Sequence, residues 1–181
     1  MTVYTIEPRE DSELCHPRDP GDFERIIQEI NGLRRADNWN PIEMRLIRRD
    51  EGRDLLEADS PWLGSHALVF GPRVVERLGE LLVGYGELLP LHCDDRELVI
   101  FNVTKVVDGL DESASQIVRF ASGRIMDIER YAFLPNVVRG IEVFKLPGIR
   151  ASPTFVGQEF VKAWKSVGLR GLDFTQVWAA V

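Results

Sequence analysis

The chain reads as an α+β domain with a mainly antiparallel central sheet, helices packed on that sheet and a smaller N-terminal layer. Three observations predict this. Two pairs of apolar strands are joined by the turns Asp94-Asp95-Arg96 and Ala121-Ser122-Gly123, which are too short for a crossover and so force antiparallel neighbours. Two further stretches show apolar residues at helical spacing, each following a short apolar strand and a glycine. These are Val74, Val75, Leu78, Leu81 and Leu82 after Gly71, and Phe160, Val161, Trp164 and Val167 after Gly157. The first sixty residues follow neither pattern, which divides the chain into a variable N-terminal extension, 1–60, packed on a main domain, 61–181.

In order, Val3 to Ile6 has the pattern of a first strand. Phe23, Ile26, Ile27 and Ile30 fall on one helical face, and Gly32 follows as a stop signal. Ile42, Met44 and Leu46 alternate as on a half-buried strand, and Arg48 to Asp54 is a charged loop. Ala67 to Phe70 is an apolar strand. Gly71-Pro72 then opens a helix, because proline at the first helical position gives up only an amide without an intrahelical partner. After Gly84 and Gly86, Leu88 to Cys93 pairs with Leu98 to Val107, the most apolar strand. In the second hairpin, Gln116 to Phe120 with Arg124 to Phe133, Met126 and Ile128 face one way and Tyr131 and Phe133 the other. A bulge near Glu129-Arg130 reconciles them. Ile141 to Leu146 is a short strand, Thr154 to Val156 leads into the last helix, Gly168 ends it, and Leu172 to Trp178 closes the chain. The residues after Gly157 repeat the apolar spacing of those after Gly71, so two strand–helix–strand units bracket the hairpins.

The chain has 181 residues, 44% hydrophobic and 28% charged, enough to bury a core without disulfide or metal staples. Two cysteines, Cys15 and Cys93, fit a reduced cytoplasmic pair. The N-terminus has no basic or apolar leader pattern, and no apolar run approaches the ~20 residues that span a bilayer. The net charge of −7 argues against nucleic acid as the direct ligand and suits a basic protein partner.

Motifs for catalysis are lacking: there is no phosphate loop, nucleophile elbow or paired-histidine zinc helix. Cys15-His16 and His92-Cys93 have zinc-type donors, but adjacent strand residues point to opposite faces. Asp108, Asp111 and Glu112 do not follow the alternation of a calcium loop. Asp127 and Glu129 share a strand face without a nucleophile or oxyanion donors beside them. The expectation is no catalytic residue, no metal and no cofactor. Asn102 interrupts the most apolar strand, and a buried amide must be hydrogen-bonded, so its expected role is to pin a strand or a neighbouring loop.

From about residue 62 to Trp178 the chain resembles the Imm-eleven-type immunity proteins of bacterial polymorphic toxin systems. The residues that carry this are Gly86-Glu87-Leu88-Leu89-Pro90-Leu91, then Phe101 to Asp111, Gly123-Arg124-Ile125-Met126 and Tyr131-Ala132-Phe133. Ser152 to Val156, Gly168 to Leu172 and Val177-Trp178 complete the set. The paired Cys-x-x-Cys motifs of some similar proteins are missing here. The resemblance implies a cytoplasmic immunity protein that binds and neutralises a cognate toxin domain in interbacterial competition, by sequestration and not by catalysis. Two alternatives stay open: a hydrolase-type enzyme that reverses a toxin modification, and a homodimeric scaffold.

Acidic residues cluster at both connections of the most apolar strand: Asp94 and Asp95 before it, Asp108, Asp111 and Glu112 after it. They are the candidate toxin-binding residues, since an acidic loop is steered toward the basic cleft of a nuclease-like toxin. For Asp108 and Asp111, capping of backbone amides is the competing reading.

Overall fold

The computed structural model describes residues 1–180. The elements are β1 (Thr2–Pro8), β2 (Leu14–Pro17), α1 (Asp22–Glu29), β3 (Met44–Ile47), β4 (Arg49–Asp50), β5 (Arg53–Asp54), β6 (Leu68–Phe70), α2 (Pro72–Leu82), β7 (Gly86–Leu91), β8 (Leu98–Val103), β9 (Gln116–Arg119), β10 (Ile125–Arg130), α3 (Pro135–Val138), β11 (Val143–Phe144), β12 (Phe155–Gly157), α4 (Gln158–Ser166) and β13 (Leu172–Ala179). This is an α+β fold whose named strand pairs are all antiparallel. None of the described helices is long and apolar enough to cross a membrane.

Two larger sheets, beside three two-stranded ones, stand where one central sheet is expected. The first has the order β6-β8-β7 and the second β11-β12-β1-β13. The two predicted strand–helix–strand units build them in the same way. In β6-α2-β7 and in β12-α4-β13 the flanking strands run parallel, held apart by one antiparallel strand, β8 in one sheet and β1 in the other. Gly71 and Gly157 enter the two helices with near-identical backbone angles, φ −84 ψ 174 and φ −88 ψ 178.

Strand alternation divides the apolar side chains into three clusters. Phe70, Phe101, Val74, Leu78, Phe160 and Trp164 meet between the sheets, around the two helices. The other face of β6-β8-β7, with Val69, Leu89, Leu98 and Ile100, is covered by Cys15, Ile26, Ile30, Ile42 and Met44 of the N-terminal segment. The other face of the second sheet, with Val3, Phe144 and Phe155, is covered by Ile128, Phe133 and Val138.

Three details differ from the sequence reading. The Arg48–Asp54 stretch is a small hairpin, β4 with β5, turning at Glu51 and Gly52, both at positive φ. The most apolar strand ends at Val103, not Val107. The Thr104 and Lys105 amides bond to the Tyr85 carbonyl, and Val107 bonds to Lys145, so the chain leaves one sheet for the edge of the other. The β9–β10 ladder shifts register twice, once at the expected place near Arg130 and once between Ile125 and Asp127. The second shift leaves Met126 exposed while Ile128 is buried.

Candidate functional site

The acidic residues singled out in the sequence fall into two separate settings. Asp94 pairs with Arg18, and Asp95 with Arg48 at 3.0 Å. Arg48 also reaches Glu13 at 3.3 Å. Glu13 is fully buried, bonds Arg96 and accepts the Ala58 amide at 3.2 Å. This turn is therefore bolted to the N-terminal cover, a role its sequence did not suggest. At the other end of β8, Asp111 accepts from the Ser113 hydroxyl at 2.6 Å and from the amides of Ser113 and Ala114. Those bonds, the Ser113 hydroxyl first, hold its carboxyl below the ordinary range, so the capping reading fits Asp111. Glu112 pairs with Arg119 of β9 at 2.6 Å. Asp108 is exposed. One group is tied to the N-terminal cover and the other to the β9–β10 hairpin and its neighbours.

Cys15 is buried against the first sheet, while His16 lies half out of it, edge-on to Phe23, and His92 is exposed. Among the described residues no group of three metal-type donors converges. Asn102 takes the pinning role expected of it: its amide donates to the Leu33 carbonyl at 2.7 Å and to Glu87 at 3.0 Å. Glu87 in turn accepts the Arg35 amide at 2.8 Å.

A concavity free of these residues lies elsewhere. α1, the 147–151 loop and the β9–β10 hairpin enclose two adjoining cavities of about 300 and about 470 Å³, which share Ile27, Gly148, Ile149, Arg150 and Ala151. The loop turns through positive φ at Gly148 and at Ala151. Phe120 and Met126 of the hairpin stand at the outer cavity, 49% and 54% exposed. Lys145 lines the inner one. Its ammonium donates to the carbonyl of Ile30, at the end of α1, at 3.1 Å and to that of His66 at 2.6 Å. A cation suits the C-terminal end of a helix, but burial lowers the Lys145 pKa to about 8. The charged side chains along both cavities are Lys145, Arg124, Arg150 and Glu24, and Glu24 is already bound by Arg150. In a chain of net charge −7, this is a locally positive groove.

None of these groove residues was singled out as a binding residue in the sequence. Two signals were available: a lysine inside the apolar run Val143-Phe144-Lys145-Leu146, and aromatic and thioether side chains at the tip of a charged hairpin.

An α+β protein with two helix-backed antiparallel sheets and a positive groove of mixed polar and apolar lining is the class these observations define. Within it, residues 95–179 match the model of the immunity protein family (Imm11). That segment runs from the turn before β8 through β13 and supplies most of the groove wall. No curated protein matches the chain.

Proposed function

We propose that this chain is a cytoplasmic immunity protein that binds a cognate bacterial toxin domain and neutralises it by sequestration, without catalysis. The family match over residues 95–179 carries this reading. The groove supports it, because aromatic and thioether side chains are enriched at protein interfaces, and Phe120 and Met126 stand exposed beside this concavity. The test is co-expression with the C-terminal domain of a large secreted protein encoded next to this chain. Rescue of growth, together with a stable complex on size exclusion, is the expected result. A toxin that still kills and forms no complex overturns the reading.

The acidic turns belong to the same proposal as steering elements. Asp94 and Asp95, or Asp108, Asp111 and Glu112, draw a basic toxin surface inward over a range set by the Debye length. Asp94→Lys/Asp95→Lys and Asp111→Lys/Glu112→Lys are to be compared for association rate at low and high salt. The expected result is a slower rate at low salt for one pair. If neither folded variant slows, the turns have no steering role.

A further inference from the structure

We propose that the Lys145 cavity receives a carboxylate side chain of the protein partner, flanked by an apolar residue, as the buried anchor of the toxin interface. This rests on the reading of the chain as a toxin-binding protein and names the chemistry of the contact.

The argument starts from how the two buried charges are treated. Glu13 and Lys145 are the two charged residues buried from solvent, at 0% and 3% exposure, among the described residues. Glu13 is compensated by the guanidiniums of Arg96 and Arg48. Lys145 has only the two carbonyls, and no described carboxylate lies within ion-pair distance of it. A buried cation without a counter-charge is costly, and the cost falls when an anion is brought to it. The third ammonium proton has no protein acceptor among the described residues.

The surroundings choose the kind of anion. Arg124 adds positive charge along the path to Lys145, while Arg150 and Glu24, the one carboxylate among the described residues of that lining, are paired with each other. Apolar surface comes from Ile27, Val106 and Ile149 in the inner cavity, beside the polar Gln28, Asn31 and Ser152, and from Phe120 and Met126 at the rim. A wall that mixes these apolar side chains with amide and hydroxyl groups favours a carboxylate carried on a hydrocarbon stem, next to a bulky apolar neighbour, over a free oxyanion that must shed its water on every side. The two cavities together also exceed what one small anion fills.

The experiment uses the full chain and the neighbouring-gene toxin domain, with Lys145→Met as the main variant. The expected result is a Kd raised at least tenfold with the fold intact. In addition, the Lys145 side-chain nitrogen resonance should shift on titration with acetate and shift the same way in the toxin complex. Should Lys145→Met fail to fold, Arg124→Glu/Met126→Asp on the exposed hairpin replaces it, with the same loss expected. Full-strength toxin binding by the folded variant overturns the anchor while leaving the immunity reading intact. A Lys145 resonance that responds to inorganic phosphate but to neither acetate nor toxin overturns it in favour of a free-oxyanion site. Failure of the wild-type chain to bind the toxin overturns the immunity reading first, and the anchor with it.

Discussion

Trp164 shows how much a single side chain carries here. It sits 1% exposed on α4, packed on Phe160, Phe70 and Phe174. Trp164→Ala should lower stability by about 3–5 kcal/mol. A denaturant midpoint equal to that of the parent would refute the packing role. Lys145 makes the opposite case, a residue that costs stability. Burial lowers its pKa from the ordinary 10.5 to about 8, so between those values the unfolded chain holds the extra proton. Stability contributed by this group therefore rises with pH from about 8 to 10.5. Relative to Lys145→Met, the wild type should gain on the order of 3 kcal/mol across that window. The comparison is a urea titration at each pH. The Cys15 thiol, pushed up to about 12 by burial, works the other way above pH 9 but is common to both proteins and cancels. A constant difference would mean that Lys145 is not desolvated. At this scale the core was readable from spacing, as Val74, Leu78, Phe160 and Trp164 show. The groove was not, because what makes Lys145 unusual is that no carboxylate of the described residues pairs with it, and that is settled by residues far away in sequence.

At the scale of elements, the entry to α4 depends on a residue from another strand connection. Glu142 accepts the amides of Glu159 at 2.9 Å and Phe160 at 3.1 Å, supplying from outside the cap that Gly157 lacks. A Cβ on Gly157 would run into that same carboxylate. Glu142→Ala should cost about 1 kcal/mol, and Gly157→Ala more, since it displaces the cap and adds a clash. The two changes should be less than additive, because removing the carboxylate removes the clash. A thermal double-mutant cycle measures this coupling, and strict additivity would show that Glu142 does not cap the helix. The sequence located this helix from Gly157 and the apolar stripe after it. The cap lies fifteen residues upstream, past a loop, where local pattern has no reach. The β9–β10 hairpin is similar: Gly123 at positive φ and the shift near Arg130 were readable, but the earlier shift that turns Met126 out to solvent was not.

At the scale of the molecule, the two ends of the chain depend on each other. β1 pairs with β13 along its whole length, from Thr2 opposite Ala179 to Pro8 opposite Leu172, and with β12 at Val3 and Tyr4. Its side chains reach both adjoining clusters, Ile6 toward the helices and Val3 toward Phe144 and Phe155. Spacing identified this strand but not its place, since a pairing across some 170 residues leaves no local mark. Removing β1 would leave β12 and β13 two strand spacings apart, roughly 9–10 Å, too far to bond. β13 would then lose the strand ladder it makes with β1. The segment that matches the family, 95–179, also lacks β6 and β7, which flank β8, so its core is completed by residues outside the match. We therefore expect residues 61–181 alone to lack a cooperative thermal transition and to give poorly dispersed amide resonances. Adding residues 1–60 as a separate chain should restore part of both. A 61–181 fragment that melts sharply by itself would show that β12 and β13 find another arrangement and that β1 is dispensable to the fold.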